Sequence, residues 1–182
     1  MVYMFLAEGF EEVEALCPLD LLRRAGVKIS TVGVGGKVIR GSHGIEVIAD
    51  ITTYEAEKML DKNPADMVIL PGGMPGSLNL QADEVVNRFI TYAVDNDKYL
   101  AAICAAPLIL GERDLLVGKE AICYPGFEDR LHGAKISEKS VVADGKYITG
   151  KGMGVALEFG LALVSALVSD DMACQLRAAV QA

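Results

Sequence analysis

Three short segments of this 182-residue chain carry residue types that can do chemistry together. The most specific is Ala101-Ala102-Ile103-Cys104-Ala105-Ala106-Pro107. Its pattern is small-x-nucleophile-x-small, with Ala102 and Ala106 where a nucleophile elbow places glycine. Small residues are needed there because a sharp strand-to-helix turn crowds backbone against backbone. Such a turn exposes Cys104 at the start of a helix, where free N–H groups and the helix dipole favour a thiolate. The second segment is Gly72-Gly73, whose backbone N–H groups can approach a developing oxyanion because no side chain intervenes. The third is Glu8-Gly9-Phe10-Glu11-Glu12-Val13-Glu14. Glu14 lies about one turn into the helix it opens. A carboxyl facing a semi-buried site has its pKa raised, keeps a proton and can donate to sulfur. Glu11 and Glu12 are read as solvated first-turn acids that favour the helix dipole.

These segments need a frame. Val2 to Ala7, Val27 to Val34, Met67 to Leu70 and Tyr99 to Ile103 read as buried strands. Ala121 to Tyr124 reads as a further strand, and Asp144-Gly145 as a hairpin turn joining Ser140–Ala143 to Tyr147–Thr149. Helical periodicity runs over Glu11 to Ala25, with Val13, Leu16, Leu19 and Leu22 on one face, a kink expected at Pro18 and a stop at Gly26. Further helices are expected over Ala82 to Val94, Val155 to Val168 and Asp171 to Val180. Gly33 to Gly44 reads as turns, and Pro71 to Gly76 as irregular. Strands alternate with helices, which implies an α/β fold with a mostly parallel sheet covered on both faces. In such sheets ligands bind beyond the carboxyl ends of the strands, where all three segments would then meet.

The totals narrow the chemistry. A net charge of −8, with no basic cluster longer than Arg23-Arg24, argues against nucleic acid and against an acidic membrane surface. No apolar run reaches the roughly 18 residues of a membrane span. The four cysteines are widely spaced and form no C-x-x-C pair, so neither a disulfide framework nor a zinc site is expected, and a reducing cytoplasm is. His43 and His132 are too few for a metal site. Gly145 to Gly152 falls one residue short of a phosphate-binding loop. Cys17, Cys123 and Cys174 are expected as packed small hydrophobes, with Cys123 also a candidate neighbour of the pocket.

Glu11-Glu12-x-Glu14, Asp20-Leu21-Leu22-Arg23-Arg24-Ala25-Gly26, Leu70-Pro71-Gly72-Gly73, the Cys104 segment, Gly150-Lys151-Gly152-Met153-Gly154 and Glu158-Phe159 follow one another in an order that resembles the ThiJ/PfpI superfamily. The branch is that of the Parkinson-disease protein deglycase. The resemblance implies one ThiJ/PfpI-like domain over residues 1–182, folded as a flavodoxin-like three-layer sandwich and paired as a homodimer. It implies that Cys104 is the reactive, readily oxidised cysteine, that Glu14 is its protonated partner, and that Gly73 and Ala105 supply the oxyanion N–H groups. It further implies cofactor-free glyoxalase or deglycase activity, as a hydro-lyase or hydrolase, on α-dicarbonyls such as methylglyoxal or on glycated protein. The alternative it implies is a sensor of oxidative stress or a redox-regulated chaperone that works through oxidation of Cys104. The chain departs from the family pattern at four positions. Tyr124 stands where many active members have histidine; a phenol, with an unperturbed pKa of about 10, donates a hydrogen bond but is a weak base. His43 stands where arginine is common and is a candidate to reach the site, across a dimer interface. Met153 replaces a proline. Ala105 replaces the histidine of protease-like members, which argues against a peptidase. Gly72, Tyr124, Cys123 and His43 are therefore the expected pocket residues.

Overall fold

The computed structural model describes residues 1–182. The four buried strands predicted from the sequence are present as β1 (Val2–Leu6), β2 (Ile29–Gly33), β6 (Met67–Leu70) and β7 (Tyr99–Ile103), and the predicted hairpin is β10 (Val141–Asp144) with β11 (Tyr147–Gly150). Together with β5 (Ile51–Thr52) they form one seven-stranded sheet in the order β10-β11-β7-β6-β1-β2-β5. Only β10 runs antiparallel to its neighbour. Counting the five long parallel strands alone, the order is the doubly wound 2-1-3-4-5, so the chain reverses direction between β1 and β6.

Side chains alternate along each strand and feed two separate cores. In β7, Leu100 and Ala102 face one core while Ala101 and Ile103 face the other. The first core is closed by α2 (Thr53–Met59), α3 (Gly76–Ala82), α4 (Glu84–Asp95) and α5 (Pro107–Gly111). Its centre is Phe89, whose ring meets Tyr3 and Phe5 edge-on at 4.9 and 5.1 Å. The second core is closed by α1 (Glu12–Arg24), α6 (Ala156–Leu167) and α7 (Asp170–Ala179). The result is an α/β three-layer architecture.

Several local readings change. The turn-rich stretch from Gly33 contains β3 (Val38–Arg40), which pairs with β4 (Glu46–Ile48) in a small antiparallel sheet. Their exposed-buried alternation is too short to stand out against the glycines around it. The strand expected over Ala121–Tyr124 is only β8 (Glu120–Ala121), paired with β9 (Lys135–Ile136) outside the main sheet. Gly76, expected in irregular chain, opens α3. Helix α1 runs unbroken through Pro18.

Candidate active site

The carboxyl ends of β1, β6 and β7 stand side by side at the chain reversal, and the three segments singled out from the sequence leave from them. Cys104 follows β7 directly and has φ +65°, a left-handed conformation that few residues other than glycine adopt. Both its backbone groups are held. Its N–H donates to Gly150 C=O (2.9 Å) and its C=O accepts from Tyr124 N–H (2.8 Å). Ala102, Ala105 and Ala106 are buried around it, which is why each must be small. This is the elbow that the small-residue spacing implies.

Glu14 reaches the same point from α1. Glu11 caps that helix by accepting the Glu14 N–H at 2.7 Å, so the first turn, and with it Glu14, is fixed. The Glu14 side chain is completely buried. Oε2 accepts Gly72 N–H at 3.0 Å, and Oε1 has no such donor. Between the two residues lies Gly72, where a Cβ would come 2.5 Å from both Cys104 Cβ and Glu14 Oε2. Gly73 has φ +89°, and a Cβ there would strike the backbone N of Glu11 and, at 2.6 Å, the Gly9 carbonyl. Glycine at 72 and 73 is what lets strand β6 come this close to both reacting groups.

Burial pushes the Glu14 carboxyl up to about 7, its hydrogen bond with Cys104 pulling the other way and the Glu11 charge adding to the rise. The Cys104 thiol is also pushed up, to about 12, by burial first and by the Glu14 carboxylate second. The N–H groups of Gly73 and Ala105 oppose that rise by pointing at the sulfur. The expected preference for thiolate from the elbow alone is therefore outweighed by burial. The carboxyl thus gives up its proton in the neutral range while the thiol keeps its own, and a proton can pass between the two groups.

The remaining expected pocket residues divide. Tyr124 lies at the site through its N–H, and its ring is half exposed beside Gly152. Cys123 is buried in the core beneath α5, with its thiol pushed up to about 11 by burial and then by the charge of Glu128. The His43 ring is engaged elsewhere: Nδ1 lies 3.0 Å from Glu12 Oε2. Glu12, expected as a solvated acid, is buried and accepts from the N–H of His43 (2.8 Å) and of Ile45 (3.3 Å). Burial of Glu12 is outweighed by these donors, which hold its carboxyl below the usual range. Glu12 is thus the tie between α1 and the β3–β4 loop. Ligand-type atoms of Glu11, Glu12 and His43 fall within 4.8 Å of one another, but both Glu12 oxygens are already filled by those donors.

Sequence reasoning missed the groove that leads to Cys104. It has a volume of 480 Å³ and is lined by Tyr124, Pro125, Lys151, Gly152, Met153, Gly154 and Val155. A Cβ placed on Gly152 would lie 3.2 Å from the Tyr124 ring and 4.0 Å from Cys104 Sγ, so the groove comes near the sulfur at Gly152. Its signal in the sequence was the Gly150-Lys151-Gly152-Met153-Gly154 run. A hollow of 460 Å³ beside Tyr99 and Lys146 lies at the opposite rim of the sheet, and none of the four cysteines lines it.

Residues 1–166 match the DJ-1/PfpI family. The chain is 33% identical over 179 residues to the zebrafish (Danio rerio) Parkinson disease protein 7 homolog, covering 96% of this chain and 93% of that protein. It is 29% identical over 162 residues to glutathione-independent glyoxalase DJR-1.2 of Caenorhabditis elegans, covering 88% of this chain and 84% of that one. Among solved structures, oxidized DJ-1 of Toxoplasma gondii superposes with a TM-score of 0.92 at 30% identity, covering 99% of this chain and 97% of that chain.

Proposed function

The chain belongs to the DJ-1/PfpI family, and on that premise we propose that it is a cofactor-free enzyme that converts reactive α-dicarbonyls such as methylglyoxal, or their adducts on protein, to hydroxy acids. The observation that carries this reading is the fully buried Glu14 carboxyl set against the half-buried Cys104 across Gly72, with the Gly73 and Ala105 N–H groups at the sulfur. A relative of the chain is named a glutathione-independent glyoxalase, and the family supports activity of that type.

In this reading Cys104 Sγ attacks the aldehyde carbon as its proton passes to Glu14. The oxyanion of the hemithioacetal is held by the Gly73 and Ala105 N–H groups. Glu14 protonates that oxygen and, as carboxylate, removes the proton on the former aldehyde carbon. It then returns a proton to the neighbouring carbon, so that one carbon is oxidised as the other is reduced. Water cleaves the resulting thioester, releasing the hydroxy acid and regenerating the thiol. No outside electron acceptor is used. Tyr124 serves as a hydrogen-bond donor rather than a base in this scheme.

The experiment is a lactate assay with methylglyoxal. Cys104→Ser is expected to lower kcat/KM by at least ~10³-fold, the scale of losing an activated nucleophile. Wild-type protein that makes no lactate would refute the reading. A second reading, oxidation of Cys104 to a sulfinate, is favoured by the same N–H donors and by a protonated Glu14 facing the sulfur. A homodimer in the cytoplasm is part of the proposal. Its support is the apolar exposure of Val13 and Ile45. No helix is long and apolar enough to cross a membrane.

A further inference from the structure

The groove beside Cys104 is much larger than a three-carbon dicarbonyl needs. Its 480 Å³ falls in the range of about 300–1,000 Å³ typical of pockets for larger ligands. Its walls are mainly apolar. Tyr124 and Met153 are both about half exposed, and Pro125, Val155, Gly152, Gly154 and Lys151 complete the lining. Tyr124 is fixed relative to the nucleophile because its N–H is bonded to the Cys104 carbonyl. Gly152 leaves the gap between ring and sulfur open, since a Cβ there would contact both. A substituent on an aldehyde carbon held at Sγ can therefore pass over Gly152 and lie along the Tyr124 face toward Met153. A methyl group leaves most of that surface in water.

We propose that Tyr124 and Met153 determine specificity, and that the groove selects 2-oxoaldehydes with a bulky apolar or aromatic substituent over methylglyoxal. An aromatic ring stacks on Tyr124 and meets the Met153 thioether at its edge, a contact both residues favour. Each buried CH2 equivalent is worth about fourfold in binding. The reaction is the one written above: phenylglyoxal plus water gives mandelate, with the aldehyde carbon oxidised, the ketone carbon reduced and Glu14 carrying the proton. The inference rests on that reading of Cys104.

The experiment compares kcat/KM for phenylglyoxal and methylglyoxal in wild type, Met153→Ser and Met153→Leu. Wild type is expected to favour phenylglyoxal at least ~10-fold, from several buried CH2 equivalents. Met153→Ser is expected to cut that ratio about fivefold through the KM of phenylglyoxal, and Met153→Leu, which restores an apolar wall, to keep it. Turnover of methylglyoxal with no preference for phenylglyoxal, or a ratio that Met153→Ser leaves unchanged, overturns the inference and leaves the proposed function standing. No turnover of either aldehyde by wild type overturns both.

Discussion

At the scale of residues, the property to test is the shared proton of Cys104 and Glu14. Its first loss, near pH 7, is a property of the pair, because burial disfavours a second negative charge beside the first. Iodoacetamide alkylation at Cys104 is expected to stay slow through neutral pH in wild type, because burial and the Glu14 carboxylate both push the thiol up. Glu14→Leu removes the second of these causes, so the apparent pKa is expected to fall while staying above the free value of about 8.5, since desolvation remains. A profile unchanged by this substitution would separate Glu14 from the sulfur. The same carboxyl also has a cost. Its ordinary pKa is 4.5 and its folded one about 7. Between those values the folded protein binds more protons than the unfolded chain, so stability falls as pH rises and stays lower above pH 7. Glu14→Gln removes that loss. It is expected to be more stable than wild type by about 1–3 kcal/mol at pH 8, with the difference gone at pH 4, as read from urea midpoints.

At the scale of elements, the site depends on how α1 is seated, because α1 carries Glu14. Helix α6 lies against it through Gly160, where a Cβ would come 2.6 Å from Leu21 Cδ1 and 3.0 Å from Pro18 Cα. Pro18 is therefore a contact surface inside a continuous helix. Gly160→Val is expected to cost about 1–3 kcal/mol by overpacking and to lower turnover by shifting Glu14, both measurable on the same sample by denaturation and lactate assay. An unaltered kcat in a destabilised variant would show that α1 tolerates displacement. The Glu12 tie to His43 and Ile45 holds the other side of the same helix end.

At the scale of the whole molecule, the outer face of α1 is one of the apolar surfaces left exposed. Val13 is 45% exposed and Ile45 55%, and the N–H of Ile45 bonds to Glu12, so the two apolar side chains come from adjacent backbone. Half-buried Leu16 and Cys17 continue α1 beyond them. Sedimentation equilibrium is expected to give twice the protomer mass for wild type. Val13→Asp is expected to shift the protein toward monomer, since a carboxylate in an apolar contact loses its hydration without a partner. A wild-type monomer at micromolar concentration would refute the homodimer.

Local pattern was enough to outline the long strands of the main sheet and the main helices, and to nominate Cys104, Glu14 and Gly72-Gly73 as site candidates. Alternation, turn chemistry and the demand for small residues at an elbow are properties of neighbours along the chain. Cores on both faces of the sheet followed from the apolar runs of β1, β2 and β6. The small β3–β4 sheet did not show, because three-residue strands in a glycine-rich stretch carry too little periodicity. Glu12 read as a solvated acid and His43 as a pocket residue because their pairing spans 31 positions. Only the tertiary structure decided the balance at the sulfur. A helix start favours thiolate, yet the depth of burial and the facing Glu14 carboxyl, which no local spacing encodes, push the thiol the other way. The apolar groove was likewise decided there, because Tyr124 and Met153 meet only when separate loops converge over β7.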